Sequence, residues 1–401
     1  MAWGFTFFEP MRRDARLAPL LIMIALIMTG NGVVAPVLSL YAQTFGVAGT
    51  LIGLLVTMFG VGRLVANFPA GALSQKFGRR PMLFIGPLIV AASSAAAAMT
   101  GDFYFLLFWR FVQGVGSGIY MTASLAAIAD ISPPAHRAGN VALYQASQLL
   151  GASVGPALGG LVTQWFGYSA PFWCMTVVGV LASLTAVSSF EDSIDTGAAR
   201  KPLPSSVARR GMMTMSFTGV CALTCAVFFT RVVAMYQLVP QLGAESLGLG
   251  VGSIGAALTF WALMNFAVLP ISPRLIEQFG ARSVIAGASA LTVLGLILLW
   301  AATNAAMFWF SIVVLGVGGG LSYPAIGAFA IGCLPRERYG AGMGVQRTFG
   351  DIGFVFGPVI AGALDDLTGG HTADILANIG LITAATIFFL VASVGWRRDA
   401  R

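Results

Sequence analysis

The chain has 401 residues, 57% of them hydrophobic and only 9% charged, with a formal net charge of +7. Soluble domains carry about 25% charged residues, so an ordinary soluble protein is excluded. The 50 glycines follow no short period, which excludes a collagen-like chain, and the four cysteines lie in or beside apolar runs without metal-ligand spacing.

Charged residues are absent from Leu17 to Gly62, from Ala138 to Phe190 and from Ser283 to Pro335. A membrane-crossing helix needs about 20 apolar residues, so each of these stretches holds two spans and a turn. Divided at its polar turns, the chain predicts twelve spans, near 17–41, 48–72, 81–100, 103–127, 138–164, 170–189, 213–238, 248–272, 281–301, 306–332, 339–364 and 373–395. The run from Leu17 is too long for a secretory h-region and lacks a small-residue cleavage site, so it reads as the first span.

Eighteen of the 22 basic residues fall before span one, in every second loop and after span twelve. The alternate loops instead carry Asp102, Glu245, Asp365, Asp366 and Asp374. By the positive-inside rule both termini face the cytoplasm, and the net charge is topological rather than a nucleic-acid footprint. The longest hydrophilic segment, with "TGAARKPLPSS", predicts a cytoplasmic linker over 191–211 between six-helix bundles at 1–190 and 212–401.

The two halves repeat at an offset of 202. Gly155-Pro156 recurs as Gly357-Pro358, Gly160 as Gly362, and Gly114, Gly116 and Gly118 as Gly316, Gly318 and Gly320. Phe77-Gly78 with Arg80 recurs as Phe279-Gly280 with Arg282, and Pro133 as Pro335. Parallel six-span repeats place a substrate site near the midplane between them. Gly151, Gly155 and Gly159 recur every four residues, a smooth stripe for a closely packed helix. Pro156 bends the same helix.

These stretches together resemble the major facilitator superfamily over nearly the whole chain, and within it the twelve-span drug:proton antiporters. "GALSQKFGRR" is similar to the loop signature between spans two and three: Gly71, Lys76, Gly78, Arg79 and Arg80 match, while Gln75 stands where the family has aspartate. "RFVQGVGSG" looks like the span-four signature, and "GASVGPALGG" matches the span-five signature of proton-coupled antiporters at every fixed position. The resemblance implies alternating access, with Lys76, Arg79 and Arg80 latching one half against the other at the cytoplasmic gate. Gln75 would bring no charge to that latch. It also links Arg110 to proton transfer and would set Arg63 near enough to share Asp351.

Five ionisable residues lie well within spans: Arg63, Arg110, Arg231, Arg347 and Asp351. Each costs roughly 2.5–3.5 kcal/mol in hydrocarbon unless paired or wet, which implies a watery cavity or paired networks. Arg347 and Asp351 are four apart on one helical face. They read either as a structural ion pair or as a proton carrier with its guanidinium, Asp351 being the one acid deep in a predicted span. Four arginines against one aspartate leave this interior at +3, favouring an anionic, zwitterionic or neutral amphipathic substrate over a lipophilic cation. Span one carries Asn31 and no acid, a departure from the many cation exporters of the superfamily it resembles that place a carboxylate in that span. Tyr120, Tyr144, Gln145, Gln148, Trp261, Asn265, Tyr323 and Gln346 are candidate cavity-lining residues.

The predicted fold is therefore all-α, with twelve spans in two pseudo-symmetric bundles. The predicted activity is proton-coupled export of a small compound from the cytoplasm across the inner membrane, by a functional monomer without cofactor or metal. A proton-coupled importer of an organic anion shares the architecture, as does a non-transporting scaffold or receptor. His136 and His371, the only histidines, sit in loops on opposite faces, and no nucleophile set or phosphate loop accompanies them, so an enzyme is not expected.

Overall fold

The computed structural model describes residues 17–132, 137–189, 214–334 and 339–394. The linker predicted at 191–211, the Pro133/Pro335 pair and His136 lie outside the described residues. Among the described residues twelve helices of 18 residues or more follow one another: Leu17–Val34, Gly49–Phe77, Arg79–Met99, Phe103–Ile131, Arg137–Phe166, Ala170–Ser189, Met215–Val233, Val251–Val268, Ala281–Trp300, Ala305–Gly332, Tyr339–Thr368 and Thr372–Ala392. They are taken below as spans one to twelve. No strand occurs among the described residues.

Eleven of the twelve are long and apolar enough to cross a membrane. The other is span five, whose 30 residues include Asn140, Gln145, Gln148 and Gln164. Leu184, Phe310 and Ile387 are each 57% exposed. Such side chains would be costly in water and are at no disadvantage against lipid. The chain is a multi-pass membrane protein.

Contacts group the chain into two compact units, one comprising residues 1–45, 58–198 and 251–259, the other 46–57, 199–250 and 260–401. The repeat is visible in the backbone of both halves of the sequence. Gly46, Gly78 and Gly167 have φ of 66°, 91° and 84°, and their mates Gly248, Gly280 and Gly369 have 61°, 79° and 70°. These are the positions where the chain turns through the left-handed region that only glycine enters at no steric cost. Asp102 caps span four and its mate Asn304 caps span ten, each accepting from backbone N–H groups of the first turn. Arg80 Nη2 donates to the Val187 carbonyl at 3.0 Å, and Arg282 Nη2 donates to Leu390 at 2.8 Å. Spans five and eleven match at both ends. The copies diverge where Pro270 stands at the position of Phe68: the second copy breaks into Val251–Val268 and Ser272–Phe279, while Gly49–Phe77 runs through.

Glycine sets the close packing. In the first unit, a Cβ on Gly151, Gly155 or Gly159 would strike the carbonyls of Ala25, Thr29 and Val33 respectively. Both series step by four, so spans one and five run the same way with smooth faces together. Gly114 and Gly118 lie against the backbone at Phe59 and Arg63, and in the second unit Gly316 and Gly320 lie against that at Trp261 and Asn265. Also in the second unit, Gly53 meets the Pro358 carbonyl, Gly362 meets that of Gly49, and Gly357 packs on Val232 and Phe229. In the first, Gly160 meets Val251 and Gly255 meets Pro156. These contacts explain why residues 46–57 group with the second unit and 251–259 with the first.

Span eleven extends to Thr368, so Asp365 and Asp366, expected in an outer loop, sit on its last turn. Asp366 accepts from Gly49 N at 2.6 Å and Thr50 N at 2.8 Å, capping the N-terminus of span two. Asp374, also expected among the loop acids, lies in the first turn of span twelve and is wholly buried.

Candidate functional site

The second unit holds a cavity of about 30 Å³ between spans seven, eight, nine and ten, lined by Val227, Thr230, Arg231, Ala234, Trp261, Asn265, Thr292, Leu315, Gly319, Ser322 and Tyr323. Of the predicted cavity residues, Arg231, Trp261, Asn265 and Tyr323 meet here. Arg231 Nη1 donates to the Tyr323 hydroxyl at 3.2 Å, with its guanidinium carbon 5.2 Å from that ring's centre. Phe228 meets Tyr323 edge to face at 5.5 Å. Asn265 Nδ2 is tied to the Trp261 carbonyl at 2.9 Å, which leaves its oxygen facing Gly319. Directly after Arg231 the backbone widens into π-turns at Ala234–Leu238 and Leu242–Ser246, separated by Val239-Pro240-Gln241. Pro240 has no N–H to give, and π-turns of this kind gather at functional sites.

In the first unit Arg110 is buried at 3% exposure. It donates to Gln113 Oε1 at 2.8 Å and stacks 4.7 Å from the Phe59 ring centre, while Gln113 Nε2 donates to Ser94 at 3.0 Å. An amide oxygen and an aromatic face both help to hold a cation inside a span. Tyr144 is buried and shares a 2.8 Å hydrogen bond with Ser124; its repeat mate Gln346 donates to Thr224 at 3.2 Å. Arg63, Asn31 and Gln148 are half-buried, and Gln145 is exposed.

Two expectations need correction. Tyr120 does not line a cavity: it is wholly buried in the apolar core with Leu83, Ala123 and Ile128, where its ring fills space between helices. Arg347 does not pair with Asp351. Arg347 is exposed and Asp351 only 8% exposed, and Asp351 is engaged by another group. Helical spacing brings two Cβ atoms together, but the long arginine side chain takes its charge to the wetter side. Asp374 is more deeply buried than Asp351, but it sits in the first turn of span twelve, at the helix end. The bonds described for Arg79 and Arg80 lie within the first unit. Arg79 Nε meets Asp130 at 2.8 Å and its Nη1 donates to Ser74 at 2.8 Å, while Arg80 reaches Val187. Gly78 makes the turn they flank, with φ of 91°; Gly71 has open space around it, Lys76 is exposed, and the Gln75 side chain lies outside the described residues.

One cluster escaped the sequence. His371 Nδ1 meets Asp365 Oδ2 at 2.9 Å and its Nε2 meets Glu245 Oε2 at 3.2 Å, tying the end of span seven to that of span eleven. A one-turn offset of opposite charges would have been a signal, but these residues are 126 and 6 positions apart. The hydrogen bond from Asp365, aided by Glu245 and opposed by burial, pushes the His371 pKa up to about 9. An unfolded histidine titrates near 6.5. The bridge therefore stabilises fully below about pH 6.5 and is lost as pH rises through about 9. With Glu245 partly exposed and screened, roughly 1–2 kcal/mol is expected to disappear across that window. Melting of the purified protein between pH 6.5 and 9 checks this: the midpoint should fall in the wild type and stay nearly level in His371→Gln, and equal slopes would refute it.

The family model described as Major Facilitator Superfamily matches residues 20–252 and 220–400. Among curated proteins, the chain is 27% identical over 375 residues to the quinolone resistance protein NorA of Staphylococcus aureus (strain MSSA476), covering 92% of this chain and 94% of that protein. It is 23% identical over 372 residues to an uncharacterized MFS-type transporter, MJ1560, of Methanocaldococcus jannaschii, covering 92% and 93%. Among solved structures, an inward-facing, occupied bacterial homolog of the human lysosomal transporter Spinster matches with a TM-score of 0.77 at 15% identity, covering 97% of this chain and 98% of that one. The peptide transporter POT, in complex with sulfate, matches with a TM-score of 0.75 at 12% identity, covering 94% of each chain. At such identities the likeness shows the fold.

Proposed function

Because the chain belongs to the Major Facilitator Superfamily and is therefore a secondary transporter rather than an enzyme, we propose that it exports a small amphipathic compound, anionic, zwitterionic or neutral, in exchange for protons. The exchange runs by alternating access across the cytoplasmic (inner) membrane, and the chain acts as a monomer. The observation that carries this reading is the pair of guanidiniums held inside spans, Arg110 on Gln113 and Phe59, and Arg231 on Tyr323. Each places a positive charge inside a span, where a substrate or a titrating acid of opposite sign would be favoured. The span-five Gly-Pro stripe and the likeness to a quinolone resistance protein support the exporter branch. In this reading Asp351, buried on span eleven, binds and releases the proton, with Arg110 and Arg347 setting its field. Arg63, Arg231, Asn265 and Trp261 face the substrate.

Inside-out vesicles with an acid lumen test the proposal. Amphipathic compounds added outside should accumulate in the lumen while protons leave, and the flux should vanish with an uncoupler. A proton-coupled importer of an organic anion is the second reading, favoured by the positive interior, and it would instead drive the compound out of the lumen. No substrate-dependent proton flux with any charge class would overturn both.

A further inference from the structure

We propose that the cavity beside Arg231 is a head-group pocket for the carboxylate of a planar organic anion; this rests on the transport reading above and narrows its substrate class. Three observations converge. Arg231, half-buried, has five N–H donors, and its described partners are the hydroxyl and ring of Tyr323; no carboxylate among the described residues lies within ion-pair distance. A guanidinium so placed inside a span leaves a cost of several kcal/mol that an anion would relieve. Next to it, Thr230 lines the same cavity at 3% exposure, and its hydroxyl has no hydrogen-bond partner among the described residues. A buried, unmet hydroxyl is destabilising, and a carboxylate oxygen would accept from it. Finally, the cavity volume of about 30 Å³ suits a group of two oxygens rather than a whole substrate.

The walls choose the rest of the ligand. Trp261 and Tyr323 both line the cavity, so a flat ring carrying the carboxylate would meet aromatic side chains as its charge is neutralised. Arg231 binds a carboxylate with two parallel N–H bonds, a geometry an ammonium ligand cannot use and an amide uses poorly. Span seven delivers Thr230 and Arg231 as neighbours on the turn before its π-widening, which fixes both donors at the same depth.

Equilibrium binding of 2-naphthoate, 2-naphthamide and 2-naphthyltrimethylammonium to the purified full chain, without any gradient, tests the pocket. Naphthoate should bind at least about tenfold more tightly than the amide, and the ammonium should not bind. Arg231→Gln should weaken naphthoate at least about tenfold and leave the amide unchanged. Arg231→Lys should retain part of the preference, and Thr230→Val should weaken naphthoate about threefold. To separate lost binding from lost folding, each variant is compared by melting temperature and gel filtration, and Thr230→Val, which keeps shape, serves as the independent reading. Unchanged naphthoate affinity in Arg231→Gln, or preference for the ammonium, overturns the pocket even where proton-driven flux of other compounds persists. Arg231-dependent naphthoate binding in a chain that moves no protons would uphold the pocket and overturn the transport reading instead.

Discussion

Replacing Gly159 with leucine is expected to leave little folded protein in the membrane. The first side-chain carbon at this position would fall on the carbonyl of Val33 and within 2.9 Å of its Cα, all backbone atoms of span one. A flexible side chain can swing aside, but a helix backbone cannot, so spans one and five must separate. The separation spreads, because Gly155 and Gly151 meet Thr29 and Ala25 in the same register. Overpacking typically costs about 1–3 kcal/mol in cores that can adjust; here more than about 3 kcal/mol is expected from leucine, with alanine intermediate. Gly327→Ala provides the contrast, since that glycine lies inside span ten with open space beside it. It should stabilise by about 0.5–1 kcal/mol through helix propensity alone. Membrane yield and melting midpoint of the purified variants check the pair, and a Gly159→Leu protein that accumulates and melts like the wild type would refute the close-packed stripe.

Asp351→Asn is expected to uncouple transport from the proton gradient. The side chain is 8% exposed on span eleven, and Arg347, one turn away, is exposed and does not hold it. In the proposed cycle this carboxyl is the proton site, a role that an acid inside a span can fill. Asparagine keeps the size and the hydrogen bonding and removes the titration. Proton-driven accumulation should drop at least about tenfold, some 1.4 kcal/mol or more of lost coupling, while exchange of labelled for unlabelled substrate without a gradient continues. Arg347→Gln should reduce accumulation by about threefold only. Full proton-driven accumulation by Asp351→Asn would remove Asp351 as the carrier and leave the membrane-end acids Asp365 and Asp374 to be tested in its place.

The twelve spans were legible because lipid leaves a helix no alternative: backbone groups must be satisfied internally, so apolar length alone marks the element. Even a turn was legible where glycine enters the left-handed region, at Gly78 and Gly280, since duplication writes it twice. Span five is less apolar than its neighbours, yet its glycine stripe and Pro156 identify it as well as hydropathy would. The site was less legible. Spacing brought Arg347 to Asp351, but spacing fixes Cβ atoms and not the ends of long side chains, and the pair does not form. Arg231 and Tyr323 are 92 residues apart, and the hydrogen bond between them has no local signature.

By itself the sequence determined that the chain lives in a membrane, in which stretches its spans lie, and that its halves are copies. All of these follow from local chemistry: transfer of apolar groups out of water, charge at the membrane face, and glycine where other residues are strained. Only the tertiary structure decided which charges are covered and by what. Arg110 rests on Gln113 and Phe59, Arg231 beside an unmet Thr230 hydroxyl, Asp366 on the first turn of span two, and His371 between two carboxylates. The reason is that a buried charge is stabilised by whichever dipole lies within about 3 Å, and packing of distant helices chooses that dipole.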